Sequence, residues 1–415
     1  MNKNPGGGSS GSWICCQLGA REHYAVPRGL VRAGQHVRVL TDVWVHPHSL
    51  VSRLIPGSRG ERWRERFHAE LAAASVTAFT GSLMGHEASW RLRRLHGWRL
   101  FEARNAWFQR EVATAIDHVP PGERATVFAH SYSALEIFKR AKARGWTLVL
   151  GQIDPGARHF QIVADAARQA PEYGPPPAAP SPAYLANWRQ ECALADRIAV
   201  NSEWSRSCLE AEGIPAEKLA VVPLAYEPSS ASAAVHQYPA AFSNARPLRL
   251  LFVGQVAVAK GLKAMLEALA LVEDVPFELI AVGERNADVP RRFLDHPRVR
   301  WAGAVSRSGV MRFYQDADVL LFPSLSDGFG MVQVEAQGWR LPIIASRSCG
   351  AVVRDGVNGL LLPEVTPTAI AGAVRRLAGD PALLERLSRA SEAGRQRGVQ
   401  ALGESLVELV TRPAW

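Results

Sequence analysis

The chain has 415 residues, of which 48 are Lys or Arg and 39 are Asp or Glu, so it carries a formal net charge of +9. This length is too great for one hydrophobic core and predicts two domains, and the 47% hydrophobic share is that of an ordinary globular protein. No apolar run is long enough to span a bilayer, and the polar, glycine-rich opening MNKNPGGGSSGS does not predict a secretory leader.

Strand-like and helix-like segments alternate through the first half of the chain. The predicted strands are WICCQLG (13–19), HVRVLTDVW (36–44), ATVFA (125–129), TLVL (147–150), RIAV (197–200) and KLAVV (218–222), and residues 61–117 are predicted to be mostly helical. Such alternation predicts a parallel, doubly wound sheet, whose ligands bind beyond the carboxyl ends of the strands. The candidate site residues therefore follow strands: Gly19, Ala20, His130, Gln152, Asp154, Asn201 and Ser202. His23 and Tyr24 are expected on a first helix, one turn later, within reach of the same cleft.

The excess of positive charge is visible in residues 53–110, where aromatic side chains are interleaved with arginines. The arginines are Arg53, Arg59, Arg62, Arg64, Arg66, Arg91, Arg93, Arg94, Arg99, Arg104 and Arg110, and the aromatic residues are Trp63, Phe67, Trp90, Trp98, Phe101, Trp107 and Phe108. Arginine beside tryptophan suits a membrane surface, where guanidinium groups meet lipid phosphates. Solvated arginines over a buried aromatic core would give the same pattern. Nucleic acid is not expected as a partner, because no nucleic-acid-binding motif is present.

Five cysteines are scattered along the chain without the spacing of a metal site or a disulfide framework: Cys15, Cys16, Cys192, Cys208 and Cys349. They are expected to be buried thiols in a reducing compartment, which favours a cytoplasmic location. A segment rich in Ser, Ala and Pro, about 225–247, indicates an interdomain linker. We therefore predict domains at 1–225 and 226–395.

The second half opens with another strand, loop and helix, LRLLFVG (248–254) followed by Gln255, Lys260 and Gly261. Two further strands, FELIAVGE (277–284) and VRWAGAV (299–305), come next. Lys260, at a predicted helix start, offers a point charge for phosphate oxygens, and a solvated surface lysine is the alternative.

Residues 318–346 read as one strand–helix–strand unit: a buried strand (319–322), a turn (324–330), a helix (about 331–337) and a second strand (343–345). Gly328 and Gly330 precede the helix and would let backbone N–H groups close on a ligand, and the helix N-terminus favours an anion such as phosphate. The carboxylates of Asp327 and Glu335 could border the same pocket and accept hydrogen bonds from a ribose or a sugar. The alternative is a helix whose first turn is acidic because of the helix dipole.

These segments resemble a known enzyme family. DGFGMVQVEAQGWRLPIIAS resembles the Glu-x7-Glu signature of retaining glycosyltransferases of family 4 (glycosyl transferases group 1), which have the GT-B fold. SCGAVVRDGVNGLLLP resembles the segment after that signature, and LLFVGQVAVAKGLKAMLEAL resembles the diphosphate-binding strand, loop and helix. The matches are in the family's order over about residues 248–363, and FAHSY in the first half resembles the site of a histidine that faces the donor sugar.

The resemblance implies two Rossmann-like domains facing an interdomain cleft, with the C-terminal helix at about 396–415 packing back on the first domain. It also implies transfer of a sugar, most simply a hexose, from a nucleotide sugar with retention at the anomeric carbon. His130, Asp327 and Lys260 would be catalytic, and no cofactor or metal ion is expected. The donor would be bound by Gln255, Lys260, Gly328, Phe329, Gly330, Met331, Val332 and Glu335. Glu284, Arg285 and Val305 would lie near the nucleotide base, and Gly19, Ala20 and His23 would lie at the cleft.

Three departures from the family pattern qualify this reading. Gln255 replaces the usual arginine, Asp327 replaces the usual first glutamate, and the first turn has Gly-Ala-Arg at 19–21 in place of a double glycine. A protein that binds nucleotide sugars without catalysis is therefore an alternative, and a nucleotide-sugar epimerase of the same fold is another. The expected partners are a nucleotide sugar and an unidentified acceptor. Residues 53–110 suggest peripheral contact with the inner face of a membrane as a further possibility.

Overall fold

The computed structural model describes residues 12–46, 66–227, 236–391 and 398–411. The first part of the chain forms a seven-stranded sheet, and every strand pair in it is parallel. Its strands are β1 (Ser12–Gln17), β2 (His36–Thr41), β3 (Ser75–Ala78), β4 (Thr126–His130), β5 (Thr147–Gln152), β6 (Arg197–Val200) and β7 (Leu219–Val221). Their spatial order is β3-β2-β1-β4-β5-β6-β7, so the winding direction reverses between β1 and β4.

Helices cover both faces of this sheet, because successive side chains of a strand point to opposite faces and both sets are apolar. Within β1, Ile14 and Cys16 belong to the core on one face, and Trp13 and Cys15 belong to the core on the other. The helices are α1 (Ala25–Arg32), α2 (Thr80–Leu92), α3 (Gly97–Asp117), α4 (Leu135–Ala143), α5 (Ala157–Arg168), α6 (Pro182–Leu194) and α7 (Glu203–Ala211). All five cysteines are buried free thiols, as predicted.

The second part repeats the architecture with six parallel strands, β8 (Leu248–Val253), β9 (Phe277–Val282), β10 (Val299–Gly303), β11 (Val319–Phe322), β12 (Ile343–Ala345) and β13 (Gly359–Leu361). Their order is β10-β9-β8-β11-β12-β13, which reverses between β8 and β11. The helices are α8 (Leu262–Leu271), α9 (Arg291–Leu294), α10 (Arg307–Asp316), α11 (Met331–Gly338), α12 (Pro367–Gly379) and α13 (Pro381–Ala390). The prediction of two doubly wound, Rossmann-like domains is confirmed. The boundary at 225/226 stays a prediction, and it falls between β7 and β8.

In the first domain, one strand was not predicted and the start of one helix was predicted wrongly. Residues 61–117 were predicted to be mostly helical, and α2 and α3 lie there, but residues 75–78 form the edge strand β3, because SVTA is too short to show a period of its own. The first helix begins at Ala25, so His23 and Tyr24 precede it in a 3₁₀ turn, Arg21–His23, and its cap. Glu22, His23 and Tyr24 all have positive φ values, of 50°, 51° and 58°, and a right-handed helix cannot run through such residues.

The arginine- and aromatic-rich region is divided between core and surface. Trp90, Trp107 and Phe108 are buried in the core beside α2 and α3, which supports the buried-aromatic interpretation for these three. Arg91, Arg93, Arg94, Arg99 and Arg110 are exposed, whereas Arg104 is ion-paired with Glu87 at 2.6 Å. Arg53, Arg59, Arg62, Arg64 and Trp63 lie outside the described residues.

The last described helix, α14 (Val399–Thr411), returns from the second part of the chain and packs on α1 of the first. Two glycines make this contact possible. A Cβ atom on Gly29 would lie 2.8 Å from the backbone nitrogen of Gly403, and a Cβ atom on Gly403 would overlap the carbonyl group of Gly29. The two backbones therefore touch, and Leu402 and Leu406 enter the core beside α1.

Replacing Gly403 by alanine should push α14 away from α1 and lower the free energy of unfolding by about 1–3 kcal/mol, the usual cost of overpacking. The matched control is Gly372→Ala within α12, where an added methyl group meets nothing within 4 Å. That control should raise stability by roughly 0.5–1 kcal/mol, because alanine favours a helix over glycine. Urea unfolding of both variants is the measurement, and equal effects would contradict the packing described.

Candidate functional site

The two places where the winding reverses face each other across a cavity of about 240 Å³. Such switch points are where doubly wound sheets bind ligands, because the loops leaving neighbouring strands diverge there. The first domain contributes Arg21, Glu22, Val26, Phe128, His130, Gly151, Gln152, Ile153, Ala199, Asn201, Val222 and Leu224 to the lining. The second contributes Asp327, Phe329, Gly330 and Met331, and α14 adds Leu402 and Leu406.

The turn at 324–330 of the second domain contacts the first domain. Ser202 Oγ donates a hydrogen bond of 2.6 Å to the carbonyl oxygen of Gly328. A Cβ atom on Gly328 would lie 2.6 Å from the carbonyl oxygen of Ile153 and 2.7 Å from Nδ2 of Asn201. Gly328 is therefore required by the approach of the first domain's backbone, rather than by the ligand contact that the sequence suggested.

Gly330 is required for a different reason. Its φ is +80° as the residue before α11, and a Cβ atom there would lie 2.5 Å from the ring of Phe322. The helix begins at Met331, which lines the cavity, so the N-terminus of α11 lies at the cavity edge; Val332, the next residue, is not part of the lining. The first backbone N–H groups of a helix and its dipole favour an anion, as the sequence predicted for this turn.

Lys260 and Asp327 form an ion pair although 66 residues separate them in the chain. Lys260 ends the 3₁₀ turn Val258–Lys260 after β8, and its ammonium group donates to Asp327 Oδ2. The other carboxylate oxygen accepts the backbone N–H of Phe329 at 3.3 Å. The pair is partly exposed, with 25% and 18% of the two side chains accessible, so an incoming ligand can reach both groups.

The other predicted donor-binding residues lie along the same edge of the second sheet, outside the cavity lining. Gln255, Glu284 and Arg285 follow β8 and β9 and are exposed. The two loops are tied together where the backbone N–H of Val256 donates to the carbonyl oxygen of Glu284 at 2.9 Å. Val305, after β10, is half-buried. These positions suit a nucleotide extending from the cavity along the second domain.

Glu335 lies one turn inside α11, where its Oε2 accepts a hydrogen bond of 2.9 Å from the hydroxyl group of Tyr314. Tyr314 is buried, and burial beside this carboxylate raises the pKa of its hydroxyl well above the usual value. The tyrosine therefore stays a neutral donor that fixes the rotamer of Glu335. The sequence predicted Glu335 as a ligand contact but gave no sign of Tyr314.

His130 ends β4 and faces the cavity from the first domain. Both of its ring nitrogens are buried, and neither has a hydrogen-bond partner among the described residues. Burial lowers the pKa of His130 to about 3, and the Arg21 guanidinium acts in the same direction while the Gly151 backbone opposes them. The imidazole is thus neutral at physiological pH, with a donor and an acceptor left for a ligand.

A buried carboxylate that the sequence analysis missed supports the loop after His130. Glu191 of α6 accepts the backbone N–H groups of Tyr132, Ala134 and Leu135 at 2.6, 2.8 and 3.1 Å. Burial raises the pKa of Glu191 to about 7, and these hydrogen bonds oppose the shift. The available signal was its helical spacing with Tyr184 and Trp188, which puts a charged residue on the buried face of α6.

Two other contacts beside the cavity were not predicted. The hydroxyl group of Tyr132, a residue with φ of 72°, donates to Asp154 Oδ1 at 2.6 Å. His159 Nδ1 lies 3.1 Å from Ser326 Oγ, across the junction between the domains. His159 was missed because its position, two residues into α5, has no sequence signature.

The first turn after β1 differs from what a phosphate-binding loop would need. The backbone N–H of Gly19 donates to Asp42 Oδ1 at 3.0 Å, and Arg66 pairs with the same carboxylate at 3.2 Å. The Gly19 amide is therefore already used within the protein. Ala20 is half-buried, and neither it nor His23 lines the cavity, so the structure does not bring these three predicted residues to the ligand space.

Within the described ranges, no group of three or more His, Cys, Asp and Glu side chains could hold a metal ion. None of the helices in those ranges combines the length and the apolar character that crossing a membrane requires.

Two known proteins of the same name are similar to this chain in sequence. D-inositol 3-phosphate glycosyltransferase of Kineococcus radiotolerans is 29% identical over 268 residues, which are 56% of this chain and 61% of that protein. The protein of the same name from Acidothermus cellulolyticus is 30% identical over 49% of this chain and 50% of its own length. The chain thus spans between half and three fifths of these two relatives.

Solved structures match over nearly the whole chain. Sucrose-phosphate synthase from Thermosynechococcus elongatus has a TM-score of 0.65 and 17% identity, covering 96% of this chain and 98% of its own. Anabaena Alr3699/HepE in complex with UDP-glucose has a TM-score of 0.61 and 16% identity, covering 97% and 99%. At these identities the likeness concerns the fold, which is the two-domain GT-B arrangement, and residues 247–380 match the family described as Glycosyl transferases group 1.

Proposed function

We propose that this protein is a retaining glycosyltransferase that moves a hexose from a nucleotide sugar to an acceptor hydroxyl. One observation carries the proposal: a neutral histidine without a hydrogen-bond partner among the described residues faces, from the first domain, the Asp327–Lys260 pair and the start of α11 on the second, across one cavity. The match of residues 247–380 to the group 1 family and the UDP-glucose complex of a protein with the same fold support a nucleotide-sugar donor.

The cavity is smaller than the roughly 300–1,000 Å³ typical of small-molecule pockets, so it suits the transferred sugar rather than the whole donor. The diphosphate would then lie at Lys260 and the first amides of α11, with the ribose near Glu335 and the base along the rim formed by Glu284, Arg285 and Val305. Asp327 would accept hydrogen bonds from sugar hydroxyls, and His130 would hold the sugar from the opposite wall.

In the reaction, the bond between the anomeric carbon and the diphosphate oxygen breaks, and the acceptor oxygen bonds to the same face of that carbon. The acceptor proton passes to the departing diphosphate. Charge accumulates on the diphosphate, where Lys260 and the helix dipole stabilise it. We infer from this arrangement that no divalent ion is required, so EDTA should leave turnover unchanged.

Gln255 leaves this site with one cation fewer than the family pattern, and Asp327 partly neutralises Lys260. These two features favour the alternative of a nucleotide-sugar-binding protein without catalysis. A thermal-shift screen beginning with UDP-glucose, followed by assay of UDP release with acceptors such as D-inositol 3-phosphate, separates the possibilities. Binding with acceptor-dependent UDP release and a retained product configuration by NMR supports the transferase. Binding without turnover supports the alternative, and no nucleotide-sugar binding contradicts both.

Lys260→Met should raise the Kd for UDP by about 10- to 100-fold, because it removes a charged hydrogen-bond donor worth roughly 1.5–3 kcal/mol. Lys139→Met is the matched control, since Lys139 is exposed on α4, away from the cavity lining, and pairs with Glu136 of the same helix at 2.7 Å. Calorimetry with UDP measures both without any acceptor. An unchanged Kd in Lys260→Met would remove this lysine from the diphosphate site.

His130 should make the protein less stable as the pH falls below about 6.5. The unfolded chain takes up a proton near that pH, whereas the folded imidazole does so only near its pKa of about 3. The free energy of unfolding of the wild type should therefore fall relative to His130→Asn, approaching about 1.4 kcal/mol per pH unit between pH 6 and 4. Urea unfolding across this range is the measurement, and parallel pH profiles would show that His130 titrates normally.

A membrane location is also proposed, for the surface formed by the end of α2 and the start of α3. Arg91, Arg93, Arg94 and Arg99 are exposed there, beside Leu92 and Phe101, whose side chains are 87% and 43% accessible. Exposed cations next to exposed apolar groups suit an anionic leaflet.

Binding to vesicles containing phosphatidylglycerol should be salt-sensitive and should fall when Arg91, Arg93 and Arg94 are replaced by glutamine, since each contributes about 1 kcal/mol. A triple replacement of Arg140, Arg168 and Arg206, which are ion-paired on other helices, is the control. Vesicle co-sedimentation is the measurement. A wild type that ignores these vesicles at low salt would contradict the proposed membrane surface.

A further inference from the structure

Three consecutive residues at the edge of the cavity, none of them glycine, adopt left-handed backbone conformations. Glu22, His23 and Tyr24 have φ values of 50°, 51° and 58°. Such conformations are costly for residues other than glycine, and they persist only where neighbouring contacts enforce them. Runs of this kind concentrate at functional sites, which makes the turn a candidate for a role beyond folding.

Neighbouring groups hold this turn in place. Tyr24 is fully buried, and its hydroxyl group donates to the carbonyl oxygen of Val43 at 3.2 Å. Gln17 Nε2 donates to the carbonyl oxygen of Arg21 at 3.0 Å. Both anchors belong to the first domain and neither uses the side chains of Arg21 or Glu22. The anchored backbone directs those two side chains to the cavity, whose wall they form together with His130.

The charged groups of Arg21 and Glu22 make no hydrogen bond or ion pair within the described part of the chain, although they are neighbours in sequence. Burial raises the pKa of the Glu22 carboxyl, and the Arg21 charge opposes that shift. Among the described residues, the guanidinium of Arg21, the carboxylate of Glu22 and the two buried ring nitrogens of His130 have no hydrogen-bond partner, so these groups on the first-domain wall are available to a ligand.

We propose that Arg21 and Glu22 form the acceptor subsite and that the acceptor is a polyol carrying an anionic group. This inference rests on the proposed function, which assigns the diphosphate and nucleotide to the second domain and the donor sugar to His130 and Asp327, and which leaves Arg21 and Glu22 for the acceptor. A carboxylate only accepts hydrogen bonds, so Glu22 selects hydroxyl groups. The planar guanidinium of Arg21, exposed at the cavity edge, holds a phosphate or a carboxylate.

The left-handed turn is therefore retained for recognition rather than for stability. Glu22→Gly relieves the backbone strain and also removes the carboxylate. A role in recognition therefore predicts that stability and acceptor binding change in opposite directions. We expect this variant to unfold at a temperature equal to or above that of the wild type and to bind the acceptor more weakly. A lower unfolding temperature would show that the glutamate supports the fold, and it would count against the proposal.

The test compares matched pairs of compounds in the presence of UDP: inositol with D-inositol 3-phosphate, glucose with glucose 6-phosphate, and glucose with glucuronate. Calorimetry on the wild type should show at least one anionic member bound about 10-fold or more tightly than its neutral partner. Arg21→Gln should abolish that preference, and Glu22→Gln should weaken both members of the pair. Arg124→Gln, an exposed arginine at the opposite end of β4, should behave as the wild type.

The pairs also separate the sources of the anionic group, since preference for a phosphate, a carboxylate or both identifies the chemistry. Vesicles of phosphatidylglycerol, compared with phosphatidylcholine, distinguish a lipid headgroup from a free polyol. The proposal is overturned if the wild type prefers no anionic compound, either as a free polyol or as a lipid headgroup. It is also overturned if Arg21→Gln keeps the preference. Measuring UDP-glucose binding with the same samples distinguishes failure of this subsite from failure of the proposed function. Normal UDP-glucose binding without a preference for anionic compounds would contradict only the acceptor subsite. Loss of UDP-glucose binding in the wild type would contradict the proposed function as well.

Discussion

The structure depends on the close contact between the Gly328 turn and the carboxyl ends of β5 and β6. The carbonyl group of Gly328 accepts the hydroxyl of Ser202, and the missing Cβ of Gly328 is what lets Ile153 and Asn201 approach it. This contact sets the separation between the two switch points. With it, His130 and Asp327 line one cavity, and a side chain at position 328 would move the two walls apart.

Charge is arranged differently on the two walls. On the second domain, Lys260 and Asp327 are already paired, so the cation of the proposed diphosphate site is held in place before any ligand binds. On the first domain, burial keeps His130 neutral, and Glu191 holds the following loop through three backbone N–H groups. One wall therefore stabilises negative charge, whereas the other offers neutral and mixed polar contacts suited to sugar hydroxyls.

The sequence predicted the architecture because its strand and helix signals are local. The family resemblance also implied that Lys260 and Asp327 serve one site, and the structure pairs them. The sequence could not predict the reason for Gly328, since that depends on the distance between two domains. Glu191 and Tyr314 were missed because their roles come from burial beside groups far away in the chain.

The turn after β1 was also predicted wrongly, because its backbone conformation is not the helical one that its sequence favours. The stretch REHYAV has good helix formers, but the anchoring of Tyr24 to Val43 and of Gln17 to Arg21 imposes three left-handed residues that no local propensity favours. Long-range contacts thus overrode the local preference in a turn whose Arg21 and Glu22 line the cavity. The backbone N–H of Gly19 is bound by Asp42, and Ala20 is not part of the cavity lining.

The central claim is that one nucleotide sugar contacts both domains across this cavity. Amide hydrogen exchange with and without UDP-glucose tests it most directly, because the method reports on each wall separately. The account predicts slower exchange at residues 327–333 of the second domain and at residues 130–135 of the first, in the same sample. Protection confined to one of these two segments, or absent from both while UDP-glucose binds, would contradict it.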